Sequence, residues 1–221
     1  MAKRNYEDSY LHKGLRKQLV DYLRETRMIK DESVLRAINN VPRHFFLDSA
    51  FDRIAYEDRA FPIESGQTIS QPYTVAYQTQ LLQIKNTDSV LEIGTGSIYQ
   101  ASVLAEMGAD VFTIERQKKL FDAQKEFPLK EKYPNIHFFY GDGYQGLPDY
   151  APFDKILITA AAPYIPEKLM AQLKVGGKMV IPIQDFDDAQ TMMRITKNDD
   201  GTWEEEVFDK FSFVPMLKGE Q

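Results

Sequence analysis

The stretch Val90-Leu91-Glu92-Ile93-Gly94-Thr95-Gly96-Ser97-Ile98-Tyr99 decides the fold. An apolar run ends in two glycines, and Gln100 to Met107 follows with Ala, Leu and Glu at helical spacing, so the order is strand, tight turn, helix. Gly94 and Gly96 have no Cβ and can take positive φ, which lets the backbone approach a ligand while the helix start offers free N–H groups. Glu115 closes a second apolar run, Val111-Phe112-Thr113-Ile114. It falls at about the twenty-residue interval at which nucleotide-binding α/β folds place an acid for ribose hydroxyls. The spacing fits a nucleoside.

Missing residues narrow the ligand. A dinucleotide fingerprint needs glycine where Tyr99 stands, and a phosphate loop needs Gly-Lys-Ser/Thr, which does not occur. What remains, Glu92 to Gly96 read as E-x-G-x-G, resembles the first motif of Rossmann-like S-adenosylmethionine-dependent methyltransferases. A glycine turn of purely structural use is the competing reading.

Outward from this centre the pattern is regular. Strands are expected at Val111–Glu115, Ile136–Tyr140, Lys155–Ile158 and Lys178–Ile183, with helices at Gln117–Phe127 and Pro166–Leu173 between them. Alternation of this kind implies a doubly wound, mostly parallel α/β sheet that binds ligands at the carboxyl ends of its strands. Gly94, Glu115, Asp142 and Thr159 all fall at such ends. The sheet is expected to finish in a C-terminal antiparallel hairpin, Thr191–Thr196 with Glu204–Phe213, turning at Asn198-Asp199-Asp200-Gly201. On the N-terminal side, Leu11, Leu15, Leu19, Tyr22 and Leu23 mark an amphipathic helix over about residues 6–27. A shorter helix follows, capped by Asp31 and ended by Pro42. The loop Gly66-Gln67-Thr68-Ile69-Ser70-Gln71 precedes a helix starting at Pro72. Ser70 or Thr68 is as suited to capping that helix as to binding a ligand.

Length and composition set bounds. A chain of 221 residues holds one sizeable core. A single domain is expected, with N-terminal helices and a substrate loop over 1–75, a nucleotide-binding core over 76–185 and the hairpin over 186–221. No apolar run is long enough to span a bilayer, and Met1 to Asp8 has basic residues without a following apolar stretch. No membrane association and a cytoplasmic location are expected. With no cysteine and three scattered histidines, His12, His44 and His137, no metal is expected. A net charge of −6 argues against nucleic acid as a partner.

Taken together, the motifs resemble those of the protein-L-isoaspartate (D-aspartate) O-methyltransferases over nearly the full length. The resemblance rests on Val41-Pro42-Arg43-His44-Phe45-Phe46, Gly66 to Pro72, Val90 to Gly96 with Tyr99-Gln100-Ala101, and Gly141-Asp142-Gly143-Tyr144. It continues in Phe153-Asp154, Thr159 to Pro166 and Phe211 to Met216. It implies methyl transfer from S-adenosylmethionine to the carboxylate of L-isoaspartyl and D-aspartyl residues in aged peptides and proteins, by a monomer. It further implies that Ser70 and Thr68 orient the acceptor carboxylate, with Gln67, Ile69, Val214 and Pro215 against the peptide. Glu115 would take the ribose hydroxyls, Asp142 and Gly143 the adenine, and Gly94, Thr95, Gly96 and Ser97 the methionine portion, with Glu92 and Thr159 in the same cofactor set. A carboxylate with pKa near 4 is already ionised at neutral pH, so transfer needs in-line positioning more than acid–base help.

The chain departs from the family at Ile98, where the usual loop has a third glycine. A β-branched residue is disfavoured at positive φ, and its side chain is expected to project toward cofactor space and lower affinity. The alternative to an active methyltransferase is therefore a cofactor-defective variant, natural or engineered, serving as a scaffold, binding module or different enzyme. A small-molecule methyltransferase fits the substrate-side motifs less well. A serine hydrolase fits least, because Ser70 and Ser97 lack the G-x-S-x-G setting.

Overall fold

A computed structural model describes residues 6–185 and 189–221; the first five residues, read above for a leader, lie outside it. The centre is β3 (Ser89–Ile93), which pairs in parallel with β4 (Asp110–Glu115) on one side and β6 (Phe153–Ile158) on the other. With β5 (Ile136–Tyr140), β7 (Leu173–Gln184), β8 (Gln190–Lys197) and β9 (Trp203–Phe211), the seven-stranded sheet runs β5-β4-β3-β6-β7-β8-β9. The five strands from β5 to β7 are parallel, and β8 and β9 are the antiparallel hairpin. The order reverses at β3, because β4 lies on one side of it and β6 on the other. That switch point leaves a crevice at the carboxyl ends of β3, β4 and β6.

Side-chain alternation along the strands builds a core on each face. Val90, Val111 and Leu157 join Leu19, Leu35, Ile38, Leu82 and Leu104 on the side of the N-terminal helices. Leu91, Ile93, Ile114 and Ile156 join Leu169 and Met170 on the other. The helices are α1 (Tyr10–Glu25), α2 (Glu32–Asn40), α3 (Pro72–Leu82), α4 (Tyr99–Glu106), α5 (Lys118–Ala123) and α6 (Glu167–Gln172). Asp31 caps α2 through the Ser33 and Val34 amides. The buried stripe of α1 is Arg16, Leu19, Val20 and Leu23, so Leu11 (58% exposed) and Tyr22 do not serve as the core residues their spacing suggested. Arg16 takes core space because its guanidinium is paired with Asp8 and hydrogen-bonded to Tyr56 and Asn39. Gly176 and Gly177 lie inside β7, which begins five residues before the expected Lys178. There the register against β6 shifts, and a Cβ on Gly177 would lie 2.8 Å from the Lys174 carbonyl oxygen.

Between α2 and α3, the two-residue strands β1 (Phe61–Pro62) and β2 (Thr68–Ile69) pair antiparallel. This small ladder fixes the loop that runs into α3. Among the described residues no helix is long and apolar enough to cross a membrane.

Candidate active site

Gly94 leaves β3 at φ 98°, and a Cβ there would lie 2.5 Å from Thr159 Oγ1. That hydroxyl sits 2.9 Å from the carbonyl oxygens of both Ile93 and Gly94, so Thr159 pins the strand end and forces glycine beside it. Gly96 follows at φ 51° and donates its N–H to Glu115 Oε2 at 2.9 Å. Glu115 Oε1 accepts from the Gln117 amide at 2.8 Å. One carboxylate thus ties the glycine loop to the end of β4, and each oxygen keeps lone-pair capacity for a further donor.

Ile98 adopts the left-handed conformation (φ 71°, ψ −3°) that its glycine-like position predicts. Its side chain, however, does not enter the crevice. It is 7% exposed and packs in the core beneath the N-terminal helices, and it is absent from the cavity lining. The expectation that it fills cofactor space is thereby corrected. Ile98 N–H donates to the Thr95 carbonyl, and its own carbonyl accepts from both the Ser102 amide and the Ser102 hydroxyl, an arrangement that sends the Cβ inward.

The second wall comes from the β2 loop. Ile69 is 2% exposed and anchors the loop, and alternation turns its neighbours Thr68 and Ser70 away from that anchor. Neither caps α3: Gln71 is its N-cap without a side-chain bond, and Asp58 Oδ1 accepts from the Tyr73 amide at 2.8 Å instead. Ser70 Oγ makes no hydrogen bond among the described residues, so it is available to a ligand.

Glu92 and Asp142 are placed differently from the sequence expectation. Glu92 is fully buried, with Oε2 accepting from Thr113 Oγ1 at 2.5 Å and Oε1 without a partner; it does not border the cavity. Strand alternation points it away from Leu91 and Ile93, under the loop, where Thr113 links it to Thr95 Oγ1 at 2.7 Å. Burial pushes its carboxyl up to about 8, so it is mostly neutral at pH 7. Asp142 closes its own turn by accepting from the Tyr144 amide, and Gly143 alone of that pair lines the cavity. A Cβ on Gly143 would lie 2.4 Å from Ile93 Cγ2, so only glycine lets the turn come this close.

These parts enclose a cavity of about 880 Å³ counted to its open mouth. It brings together Gln67, Thr68, Ile69 and Ser70; Gly94, Thr95, Gly96 and Ser97; Glu115, Gly143 and Thr159; and Val214 with Pro215. Tyr99 and Gln100 also border it, but their polar ends are buried in the core, the Tyr99 ring beneath the Arg43 guanidinium and Gln100 Nε2 donating to Thr79 Oγ1 at 3.0 Å. Sequence reading missed Arg116, Gln117, Met216 and Leu217, which complete the wall. The bond from Met216 N–H to Ala161 that carries this segment is long-range and has no local signal.

No histidine lines the cavity. His12 and His44, expected to be scattered, stack at 3.7 Å near Asp8. Asp8 is paired with Arg16, while His44 faces Tyr56 Oη at 2.7 Å and the Glu7 carbonyl at 3.2 Å, so these groups are already used within the fold. Burial holds the His44 imidazole down at about 4 and therefore neutral.

The model of the protein-L-isoaspartate(D-aspartate) O-methyltransferase family matches residues 14–221. A protein-L-isoaspartate O-methyltransferase of Flavobacterium johnsoniae is 51% identical over 212 residues, covering 96% of this chain and 98% of its own. That of Cytophaga hutchinsonii is 55% identical over 211 residues, covering 96% and 94%. A crystal structure described as such an enzyme from Plasmodium falciparum, in complex with S-adenosyl-L-homocysteine, superposes with a TM-score of 0.78 at 27% identity, covering 92% of this chain and 98% of that one.

Proposed function

Because this chain belongs to the protein-L-isoaspartate(D-aspartate) O-methyltransferase family, we propose that the crevice at the ends of β3, β4 and β6 seats the methyl donor along the glycine loop and the isoaspartyl peptide along the Ser70 loop. The activity is methyl transfer from S-adenosylmethionine to the carboxylate of L-isoaspartyl residues. Bound there, S-adenosylmethionine supplies an electrophilic methyl group on a sulfonium.

The protein's part is placement. Glu115 accepts from the ribose hydroxyls while it continues to hold Gly96 and Gln117. Gly94, Thr95, Gly96 and Ser97 border the methionine portion, and Gly143 with Ile114 borders the adenine. Ser70 donates its free hydroxyl to one oxygen of the acceptor carboxylate and turns the other toward the methyl group, with Thr68 and Gln67 beside it. Val214 and Pro215 border the peptide. No general base is needed, because the acceptor is an anion at neutral pH, which agrees with a crevice free of histidine. The clients are isoaspartyl-containing peptides and proteins, met by a monomer in the cytoplasm without nucleic acid. Glu92 supports the site from beneath through Thr113 and Thr95.

The observation that carries this reading is the free Ser70 hydroxyl in the same cavity as the Glu115-braced glycine loop. Label transfer from methyl-labelled donor to an isoaspartyl peptide, with Ser70→Ala and Glu115→Ala as variants, tests it. Loss of turnover in the first and loss of donor affinity in the second are expected. Full activity in both would overturn the assignment.

A further inference from the structure

Residues 214–221 cross the mouth of the crevice. They enter beside the end of β6, where Ala161 N–H donates to the Val214 carbonyl at 2.8 Å and Met216 N–H donates to the Ala161 carbonyl at 2.7 Å. They finish beside the end of β4. There Arg116 Nε donates to the Gly219 carbonyl at 3.0 Å, Nη1 to Gln221 Oε1 at 3.0 Å and Nη2 to the Lys218 carbonyl at 3.4 Å. The backbone closes the same contact, because Gln221 N–H donates to the Arg116 carbonyl at 2.8 Å and Lys118 N–H to the Gln221 carbonyl at 2.6 Å. Gln117 Nε2 adds a further bond to Gln221 Oε1 at 3.1 Å.

Strand β3, whose end carries the glycine loop, lies between β4 and β6. Two strand spacings come to about 9.6 Å, and the three steps from Met216 to Gly219 reach about 10–11 Å when extended. The segment therefore crosses the switch point by nearly the shortest path, so releasing its Arg116 end leaves residues 217–221 held only from the Ala161 and Tyr144 side. Its inner residues, Val214, Pro215, Met216 and Leu217, line the cavity, and Tyr144 Oη holds the middle through the Met216 carbonyl at 3.3 Å. Gly219 turns at φ 73°, which aims its carbonyl at the guanidinium without a Cβ penalty.

We propose that Arg116 is a positioning residue for the methyl donor: by clasping residues 218–221 it holds the Val214–Leu217 wall across the crevice, and so sets how long the adenosyl ligand stays bound. The proposal rests on the reading that this cavity seats S-adenosylmethionine. Arg116 follows Glu115 directly, so the ribose acceptor and the clasp share one backbone turn at the end of β4. Exchange of spent for fresh donor then requires the clasp to open.

The test combines release kinetics with amide exchange on the full chain. Arg116→Ala removes the three guanidinium bonds and leaves the two backbone bonds at Gln221, and Gln221→Ala removes the side-chain acceptor that Arg116 and Gln117 share. Dissociation of S-adenosylhomocysteine, followed by stopped-flow displacement, is expected to speed up about tenfold in Arg116→Ala and by a smaller factor in Gln221→Ala. The double variant should release faster than Arg116→Ala only by the share of the Gln117 bond, and by less than the product of the single effects, since the Arg116–Gln221 bond is common to both variants. KM for S-adenosylmethionine should rise while kcat at saturating donor stays within about threefold, a split that general destabilisation would not produce. Hydrogen exchange should show the Gln221 amide protected by ligand in the parent and open in Arg116→Ala, with the Met216 amide, bonded to Ala161, as the internal reference. Unchanged release with unchanged exchange would overturn the clasp. Fully multiplicative effects in the double variant would overturn it too, by showing that Arg116 and Gln221 do not act through their shared bond. A parent that binds no S-adenosylhomocysteine overturns the cofactor reading and the proposal with it; a parent that binds it, with variants that release it no faster, overturns the clasp alone.

Discussion

Replacing Ile98 by glycine should destabilise this protein and leave its methyl donor affinity alone. An L-residue in the left-handed region costs roughly 1–2 kcal/mol, and Ile98 sits there at φ 71°. Against that relief stands the loss of a side chain only 7% exposed. Truncating such an isoleucine costs roughly 2–5 kcal/mol, and glycine adds roughly 0.5–1 kcal/mol of chain entropy. The balance is a loss of roughly 1–4 kcal/mol, or a Tm lowered by about 2–16 °C in a chain of this size. Ile98→Ala should be worse still, because it gives up the same packing and keeps the strain. Denaturation of the three proteins, paired with calorimetric titration of S-adenosylmethionine, checks both halves. Dissociation constants within about twofold of the parent are expected, since the side chain faces the core. Tighter binding by more than about fivefold, with Tm unchanged, would place the isoleucine in the cavity and refute the reasoning.

Ser70→Ala should lower kcat for an isoaspartyl peptide on the order of 10²-fold while S-adenosylhomocysteine binding holds, because one positioned donor is lost and nothing in the fold depends on it. Equal turnover in parent and variant would remove Ser70 from the mechanism. Glu115→Ala should weaken the donor by about tenfold or more, and should also lower Tm, since the Gly96 and Gln117 amides both lose their acceptor. An intact affinity measured by calorimetry would contradict the ribose role. Glu92 gives a pH signature. Its folded-state value, about 8, lies above the unfolded 4.5, so the native state binds the extra proton and stability declines as pH rises through that window. Glu92→Gln should flatten the decline between pH 5 and 8 in urea titrations; an unaltered slope would show that the carboxyl is ionised in the fold.

The centre of the fold was legible because its determinants are local. Alternating apolar residues in β3 and β4, the glycines after β3 and the acid after β4 each leave a mark within a few residues, and the sheet follows from their order. What the sequence could not show were directions. Glu92 and Ile98 lie in the motif that identifies the crevice, yet one points under the loop and the other into the core. A motif fixes which residues stand near a turn; strand alternation and the left-handed φ of Ile98 decide which way they face. The Ser70 loop was ambiguous between cap and ligand site until Asp58 was found serving the helix amide. Residues 214–221 illustrate the third limit, since their partners lie at Ala161 and Arg116, far away in sequence.

The most direct test of the account offers the protein methyl-labelled S-adenosylmethionine with two peptides of one sequence, differing only in whether a single aspartyl linkage is normal or isomerised. The account predicts labelled ester on the isoaspartyl peptide, little on its normal isomer, and loss of that label on substitution of Ser70. Equal labelling of both peptides, or none of either while the donor binds, would contradict it.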